Sequence, residues 1–383
     1  MAAVARMTTM TAEEITTEAG FDALREPWTG LVARLDLPSP FQSWEWHRSW
    51  WRHFAKPGDR LRMVVFHSGG EIVGVVPFFE RRHLGGLTEL VPIGWRDQLT
   101  EQLDLLFAAS HRRPLLEALW NWLQGQRWTW SCLPQLREDD ELPRDAGARV
   151  ADSTPIVFEH HLLPQSWEAL DRGLNKSMRD NVRYYPKLMI REGHPFALEI
   201  ARIPSEVRAA MPILWDLHSA RAGAPTSIRH LDYMAPANRR GFMQEVIPLL
   251  AAGGGAAIGL LRVRGEAVAA QMWLEQGGVI FLYYSGYLPA WSKYSVAMIT
   301  TSEIFKDAMA RGVGRVEFLR GANQFKSRWG TQERTERELV LARRPTLVRA
   351  RFFYRRQVRE QRARIERRLR IIRESIARRR PGA

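Results

Sequence analysis

Two stretches of the second half decide the fold: Ala256–Leu274, AAIGLLRVRGEAVAAQMWL, and Val279–Tyr287, VIFLYYSGY. The first predicts two apolar strands joined at Gly265–Glu266, because glycine readily adopts the positive φ that a tight hairpin turn requires. The second predicts a third strand beside them. A helical stretch, Val296–Ala310, and a strand-like stretch, Arg315–Leu319, come next. Helices combined with antiparallel hairpins of one sheet indicate an α+β fold.

A similar unit stands earlier in the chain, at Leu61–Phe79 (LRMVVFHSGGEIVGVVPFF), with Gly70–Glu71 at its turn. Two hairpins in matching order indicate a duplicated domain. The stretch Arg137–Ala151 contains acidic residues, proline and glycine, which is typical of a linker. We therefore predict an N-terminal segment, a first domain, a second domain that holds the active site, and a basic tail, at residues 1–39, 40–155, 156–342 and 343–383.

The positive charge of the chain is concentrated in that tail. The whole chain has a net charge of +14, and the stretch from Arg343 to Arg380 alone holds sixteen arginines and three glutamates. Apolar residues recur there at helical spacing: Val358, Ile365, Leu369, Ile372 and Ile376. Such a basic amphipathic helix can contact an anionic membrane surface or a partner helix. RNA is a less favoured partner, because the rest of the chain is close to neutral. It can also pack its apolar face against the folded part of the chain.

Composition limits the class of protein. The chain has 383 residues, of which 45% are hydrophobic, and a single cysteine, Cys132, so a disordered chain and a disulfide scaffold are excluded. The N-terminal stretch lacks the apolar run of a signal peptide. The longest apolar stretch, Val246–Leu261, is shorter than the roughly 20 residues of a membrane span. We predict a cytoplasmic protein, with the tail as a means of peripheral contact with the inner face of a membrane.

Three further stretches resemble a known family: Phe41–Trp51 (FQSWEWHRSWW) after Pro40, Lys176–Arg183 (KSMRDNVR), and Arg311–Trp329 (RGVGRVEFLRGANQFKSRW). In their order and spacing they resemble the CelD-like acetyltransferases, named for a cellulose-biosynthesis protein. That family is part of the GNAT superfamily of acyl-CoA N-acyltransferases and is related to the FemAB peptidyltransferases. The resemblance implies tandem GNAT-like domains, acyl-CoA (acetyl-CoA by default) as donor and no metal. The acceptor it implies is an amine or hydroxyl of a sugar or of a polysaccharide or envelope precursor.

The resemblance also implies catalytic and donor-binding residues. Glu317, an acid within an apolar strand, is the candidate base, and Tyr284 and Tyr287 are candidates for protonating the leaving thiolate. Glu317 could instead belong to a structural ion pair, and the tyrosines could be core aromatics. For the donor, the candidates are Gly286, where backbone could approach a ligand, and three residues before a helix: Ser292, Lys293 and Ser295. They replace the glycine-rich turn with which GNAT enzymes hold the CoA pyrophosphate at a helix N-terminus.

Basic residues and a histidine are the candidates for substrate binding: Lys176, Arg179, Arg183, His218, Arg221, Arg320 and Lys326. The first three fall on one face of a helix, which could bind an anion or simply face solvent. No metal site is predicted, since neighbours such as His160 and His161 point apart. Because the glycine-rich turn is missing, two alternatives stay open: aminoacyl-tRNA, the donor of the FemAB relatives, or a non-catalytic scaffold in polysaccharide or lipid assembly.

Overall fold

The computed structural model describes residues 10–95, 99–141, 148–224, 230–321, 324–344 and 348. The predicted basic tail helix therefore lies almost entirely outside the described residues. The strands are β1 (Met10–Ile15), β2 (Arg60–Leu61), β3 (Met63–Ser68), β4 (Glu71–Val76), β5 (Phe78–Arg82), β6 (Thr88–Pro92), β7 (Leu106–Phe107), β8 (Trp130–Arg137), β9 (Arg149–Leu162), β10 (Phe196–Ala201), β11 (Ala256–Val263), β12 (Glu266–Gln276), β13 (Val279–Tyr287), β14 (Arg315–Arg320) and β15 (Gln332–Ala342).

The helices lie mainly between the strands of each half. They are α1 (Glu18–Ala23), α2 (Arg25–Val32), α3 (Trp44–Phe54), α4 (Arg112–Gly125), α5 (Trp167–Gly173), α6 (Lys176–Arg191), α7 (Pro204–Ala222), α8 (Ala237–Ala252), α9 (Val296–Ala310) and α10 (Gln324–Ser327). The mixture of helices with largely antiparallel strands confirms the predicted α+β class.

Both predicted hairpins are present. The earlier one is β3–β4, and the later one is β11–β12. Gly70 and Gly265 stand at their turns with φ of 85° and 87°, in the left-handed region that glycine adopts without the strain of a Cβ. The local sequence therefore sets both turns.

The described strands form two sheets. A four-stranded sheet has the order β1-β3-β4-β7, and an eleven-stranded sheet has the order β10-β11-β12-β13-β14-β9-β15-β8-β6-β5-β2. Strand β15 lies between β9 and β8 and is antiparallel to both. The late strand β15 therefore joins strands of both halves into one sheet. The boundary predicted between residues 155 and 156 falls within β9, and the division into two domains stays a prediction.

Two apolar cores cover the second half of this sheet. One contains Trp46, Phe242 and Leu274 and is shared with the first half, since α3 and α8 pack together there. The other contains Trp273, Ile299 and Phe305 and lies under α9. Helices on both faces leave the sheet exposed only where neighbouring strands separate.

Candidate active site

Strands β13 and β14 are neighbours in the large sheet, and they separate from each other along their length. They pair in parallel only from Val279 to Phe281 with Arg315 to Glu317. Beyond these pairs, Tyr284 and Ser285 on one strand and Arg320 and Gly321 on the other line a cavity of about 1820 Å³. Residues of both halves line it, among them Trp50, Phe54, Phe79, His83, Trp95, Asp152, Thr154, His218, Arg221, His230, Tyr233, Tyr284, Ser285, Arg320 and Glu338.

His218 fixes helix α7 against the wall of the cavity. Its Nε2 lies 3.3 Å from the backbone N–H of Tyr233, which can only donate, so Nε2 is the acceptor. The proton is therefore on Nδ1, which donates to the carbonyl of Ser285 at 2.9 Å. Both ring nitrogens are bound to backbone, and the imidazole is 7% exposed. The predicted substrate-binding residue is thus in the cavity wall, but its polar atoms position α7 and β13.

Arg221 lies one helical turn further on and carries a half-buried positive charge. Its Nη1 donates to Ser285 Oγ at 2.8 Å, and its Nη2 contacts His230 Nδ1 at 3.3 Å. Within the part of the chain that the structure describes, no carboxylate forms an ion pair with it, and its Nε is buried without a hydrogen-bond acceptor. Burial lowers the pKa of the guanidinium, whereas Tyr287, which it overlies at 5.6 Å, raises this pKa. Arg221 is therefore able to bind an anion.

The two tyrosines predicted to be catalytic are placed differently. Tyr284 lines the cavity and contacts three rings, with centroid distances of 5.7 Å to His218, 6.1 Å to Tyr233 and 4.2 Å to Tyr283. Tyr287 is outside the cavity lining and lies beneath the Arg221 guanidinium. Of the two phenols, only that of Tyr284 belongs to a residue of the cavity wall.

Gly286 is required for packing rather than for contact with a ligand. A Cβ at this position would lie 2.2 Å from the backbone nitrogen of His218 and 2.4 Å from the carbonyl carbon of Leu217. Such distances are far below van der Waals contact. The backbone that approaches Gly286 is thus that of α7, which corrects the expectation that a donor would lie against it.

Arg320 and Lys326 shape the opposite side of the cavity. Arg320 donates to the carbonyl of Glu101 at 2.6 Å and to Glu338 Oε1 at 3.1 Å. Lys326 Nζ donates to the carbonyls of Leu319, Arg320 and Gly321 at 3.3, 2.7 and 2.8 Å, and burial lowers the pKa of its ammonium group. Lys326 therefore binds the end of β14, and Arg320 is the one of the two that lines the cavity.

Glu317 is outside the cavity lining. It is 2% exposed and bonds to Arg315 at 2.5 Å and to Arg334 at 3.3 Å, while Arg334 also bonds to Glu336 at 2.8 Å. We call Arg315, Glu317, Arg334 and Glu336 the sheet network. Burial and the nearby Asp104 raise the pKa of Glu336 to about 7. The sequence left two roles open for Glu317, that of catalytic base and that of a structural ion-pair partner. The geometry favours the structural ion pair.

The predicted donor turn is a 3₁₀ turn from Pro289 to Tyr294 that lies outside the cavity lining. Ser295, which precedes α9, has φ of 52°, so a serine holds the left-handed conformation that glycine would adopt, but its side chain does not cap the helix. Ser292 is exposed beside it. Lys293 pairs with Glu192 at 3.2 Å, and the Tyr294 hydroxyl donates to the same carboxylate at 2.6 Å.

The row of basic residues on α6 is likewise separate from the cavity. Arg179 donates to the carbonyls of Asp171, Arg172 and Leu174, which end α5. Arg183 forms an ion pair with Asp171, and Lys176 is exposed at the start of the helix. Two of these three predicted substrate-binding residues thus join α5 to α6, and none of the three lines the cavity.

Several residues of the cavity had no signal in the sequence. Ser285 binds Arg221, and His230 accepts from it; burial lowers the pKa of His230, and the neighbouring Arg221 and His218 lower it further. Tyr233 and Glu338 complete the wall. The sequence suggests an aromatic groove formed by four tryptophans: Trp44, Trp46, Trp50 and Trp51. Of these, only Trp50 lines the cavity.

Among the described residues, no group of histidine, cysteine and carboxylate side chains has the geometry to hold a metal ion. None of the described helices combines the length and the apolar character needed to cross a bilayer.

Comparison with known proteins agrees with this geometry. Residues 176–327 match the family model described as an acetyltransferase (GNAT) domain. FemX is similar in structure at 11% identity, covering 85% of this chain and 96% of its own, with a TM-score of 0.58. L-PGS from Bacillus licheniformis is similar at 13% identity, covering 87% and 95%, with a TM-score of 0.50. Comparison with curated protein sequences finds no match.

The separating strands β13 and β14 lie inside the matched region. Residues 176–327 are thus similar in sequence to a GNAT acetyltransferase domain, and the chain as a whole is similar in fold to FemX. The likeness to FemX supports the predicted relation to the FemAB proteins at the level of fold.

Proposed function

We propose that the protein is an acyltransferase of the CelD-like group that moves an acyl group from acyl-CoA to an amine or hydroxyl of a sugar or of an envelope precursor. The observation that carries the proposal is the cavity between the separating ends of β13 and β14. Its walls come from both halves, so two substrates can meet there. Holding two reactants in contact supplies a large part of the rate of a bimolecular transfer.

The chemistry requires one proton donor in particular. The acceptor's nitrogen or oxygen attacks the thioester carbonyl, forms the new bond to carbon and releases its proton to water, while the C–S bond breaks and the thiolate takes up a proton. Tyr284 lies in the cavity wall at the point where the strands separate. We assign its phenol O–H to the protonation of the thiolate.

Arg221 supports binding of an anionic acceptor. A guanidinium that is half-buried without a carboxylate is costly unless a ligand brings the opposite charge. Ser285 Oγ fixes one end of the guanidinium, at 2.8 Å. A phosphate or carboxylate of the acceptor would accept from the buried Nε and complete the site.

The turn before α9 fits CoA in part. Its left-handed Ser295 leads into the N-terminus of α9, where backbone amides attract phosphate, and the Met298 amide there already donates to the Ser295 carbonyl at 2.9 Å. Glu192 binds Lys293 beside it, and both side chains are exposed, at 40% and 65%. Exposed ion pairs contribute little to stability, so a pyrophosphate could displace Glu192 from Lys293.

A screen of the full chain by mass spectrometry tests the proposal. Acyl-CoA donors are offered with amino sugars and sugar phosphates, and acylated products are sought. Tyr284→Phe should lower the rate of transfer by about 100-fold, the lower limit for loss of a proton donor. Tyr185→Phe, a half-buried tyrosine on α6, is the matched control and should transfer normally. Equal rates of transfer for the two variants would show that Tyr284 is not the proton donor.

The carboxylate of Glu192 at the donor turn favours a second candidate, a FemAB-like transferase that takes its acyl group from aminoacyl-tRNA. A negative charge at this turn disfavours a free pyrophosphate. The same screen with aminoacyl-tRNA as donor separates the two. If neither donor yields product and Tyr284→Phe keeps biological activity, the non-catalytic scaffold remains.

A further inference from the structure

Helix α6 has an exposed face that the proposed reaction does not use. Its opposite side buries Met178, Val182 and Met189 in the second core, as expected for an amphipathic helix. At 3.6 residues per turn, the residues of the outer face fall within about 120° of the helix circumference. They are Lys176, Asp180, Arg183, Tyr184, Lys187, Ile190 and Arg191, and all are exposed.

The charge of this face is strongly positive. Of these residues four are basic and one, Asp180, is acidic, and Asp180 is the one acidic side chain that α6 contains. Arg183 is 58% exposed even though it pairs with Asp171. In the described part of the chain, no ion pair joins a carboxylate to Lys187 or Arg191. The face therefore presents positive charge that a negatively charged partner could neutralise.

Two apolar side chains stand among these charges. Ile190 is 61% exposed and Tyr184 is 51% exposed, although both could have been polar at no cost to the core. An exposed isoleucine contributes nothing to the binding of RNA phosphates. It does gain free energy by entering the boundary between lipid head groups and acyl chains, where tyrosine also concentrates.

We propose that the outer face of α6 docks on an anionic lipid surface. The basic side chains contact the lipid phosphates, and Ile190 and Tyr184 enter the head-group layer. The basic tail of this chain is an unsuitable occupant of the same face, because its sixteen arginines would repel the basic residues of α6. The inference does not depend on the identity of the acyl donor.

Sedimentation of the full chain with vesicles tests the proposal. The probes are phosphatidylcholine vesicles with and without phosphatidylglycerol, at one fixed ionic strength. Reversing two charges, in Lys187→Glu with Arg191→Glu, should lower binding to the anionic vesicles at least about tenfold. Ile190→Ser alone should lower it by a factor of about three. Far-ultraviolet circular dichroism confirms that the variants are folded.

Matched variants away from α6 serve as controls. Arg113→Glu with Arg208→Glu changes the net charge equally at two exposed arginines, and Leu84→Ser removes an apolar side chain that is 97% exposed. Both should bind vesicles as the parent chain does. The proposal is overturned if the α6 variants bind anionic vesicles normally, or if the controls lose as much. It is also overturned if the α6 variants lose affinity for a single-stranded RNA while vesicle binding is unchanged.

Discussion

Two groups of charges, one within the large sheet and one where helix α7 packs on β13, differ in how their charge is neutralised. In the sheet network, Glu317 lies between Arg315 and Arg334, so each charge has an opposite partner. In the cavity, Arg221 has a hydroxyl and an imidazole as partners but no carboxylate among the described residues. The first group is neutralised within the protein, and we propose that the second binds a ligand.

The difference shows that burial alone does not identify a functional residue. Glu317 is 2% exposed and interrupts an apolar strand, yet its ion-pair partners are Arg315 and Arg334. Arg221 is distinguished by the opposite charge that its surroundings lack. The following variants test this contrast, from the largest expected effect to the smallest.

Glu317→Ala should cause the largest loss of stability. Two arginines would remain buried without their partner, and breaking a buried pair in this way costs about 3–5 kcal/mol in the free energy of unfolding. Denaturation in urea measures it, with Glu333→Ala, an exposed acid on β15, as the control. A loss as small as that of the control would show that the sheet network does not stabilise the sheet.

Glu336 should make stability depend on pH. Its pKa in the folded protein, about 7, is above the 4.5 of an unperturbed glutamate, so the folded state holds the extra proton between these values. The free energy of unfolding should therefore fall as pH rises from 4.5 to 7, by about 1–3 kcal/mol. Glu336→Gln should flatten this slope, and a slope that persists in the variant would assign it to another group.

Gly286→Ala should disturb the cavity wall. The added methyl group meets the backbone of α7, which cannot move as a side chain can, and such overpacking costs about 1–3 kcal/mol or more. Gly314→Ala is the control, because a Cβ there meets nothing within 4 Å. Thermal denaturation of both variants compares them; equal melting temperatures would mean that α7 and β13 are not held so closely.

Arg221→Met should separate function from stability. The variant removes a half-buried cation with no carboxylate partner, so the free energy of unfolding should stay the same or rise. Transfer to an anionic acceptor should fall about 10–100-fold in kcat/KM, mainly through KM. A loss of stability like that of Glu317→Ala would instead place Arg221 among the structural charges.

Lys293→Ala should have the smallest effect. Its pair with Glu192 is on the surface, where ion pairs are screened by water and salt. The midpoint of urea denaturation should not change measurably, whereas a shift like that of Gly286→Ala would make the donor turn a structural element. Titration with acetyl-CoA shows in the same variant whether the lysine contributes to donor binding.

Much of the fold follows from local sequence. The bounds predicted for the third strand and the following helix, Val279–Tyr287 and Val296–Ala310, are those of β13 and α9. Apolar runs with glycine turns identify these elements, because their side chains are buried in apolar cores. The cavity wall was predicted in part, through His218, Arg221, Tyr284 and Arg320.

Other parts depend on contacts that the sequence does not show. Strand β15, QERTERELVLA, begins with charged residues and does not resemble a central strand, because the ion pairs that neutralise its charges, with β14 and within β15, form only in the fold. Similarly, Arg179, Arg183 and Arg221 all lie on helices. Only the fold shows that α5 supplies acceptors to the first two and that, within the described ranges, no carboxylate forms an ion pair with the third.

The most direct measurement of the central claim is chemical labelling between the separated strands. Cys132, the only cysteine, is buried, so a thiol introduced by Ser285→Cys reacts alone with a maleimide. Acetyl-CoA at about ten times its Kd should slow this reaction about tenfold, while a thiol introduced by Ser177→Cys on α6 should react at an unchanged rate. An unchanged rate at position 285, when titration shows that acetyl-CoA is bound, would contradict the assignment of this cavity as the acyl-transfer site.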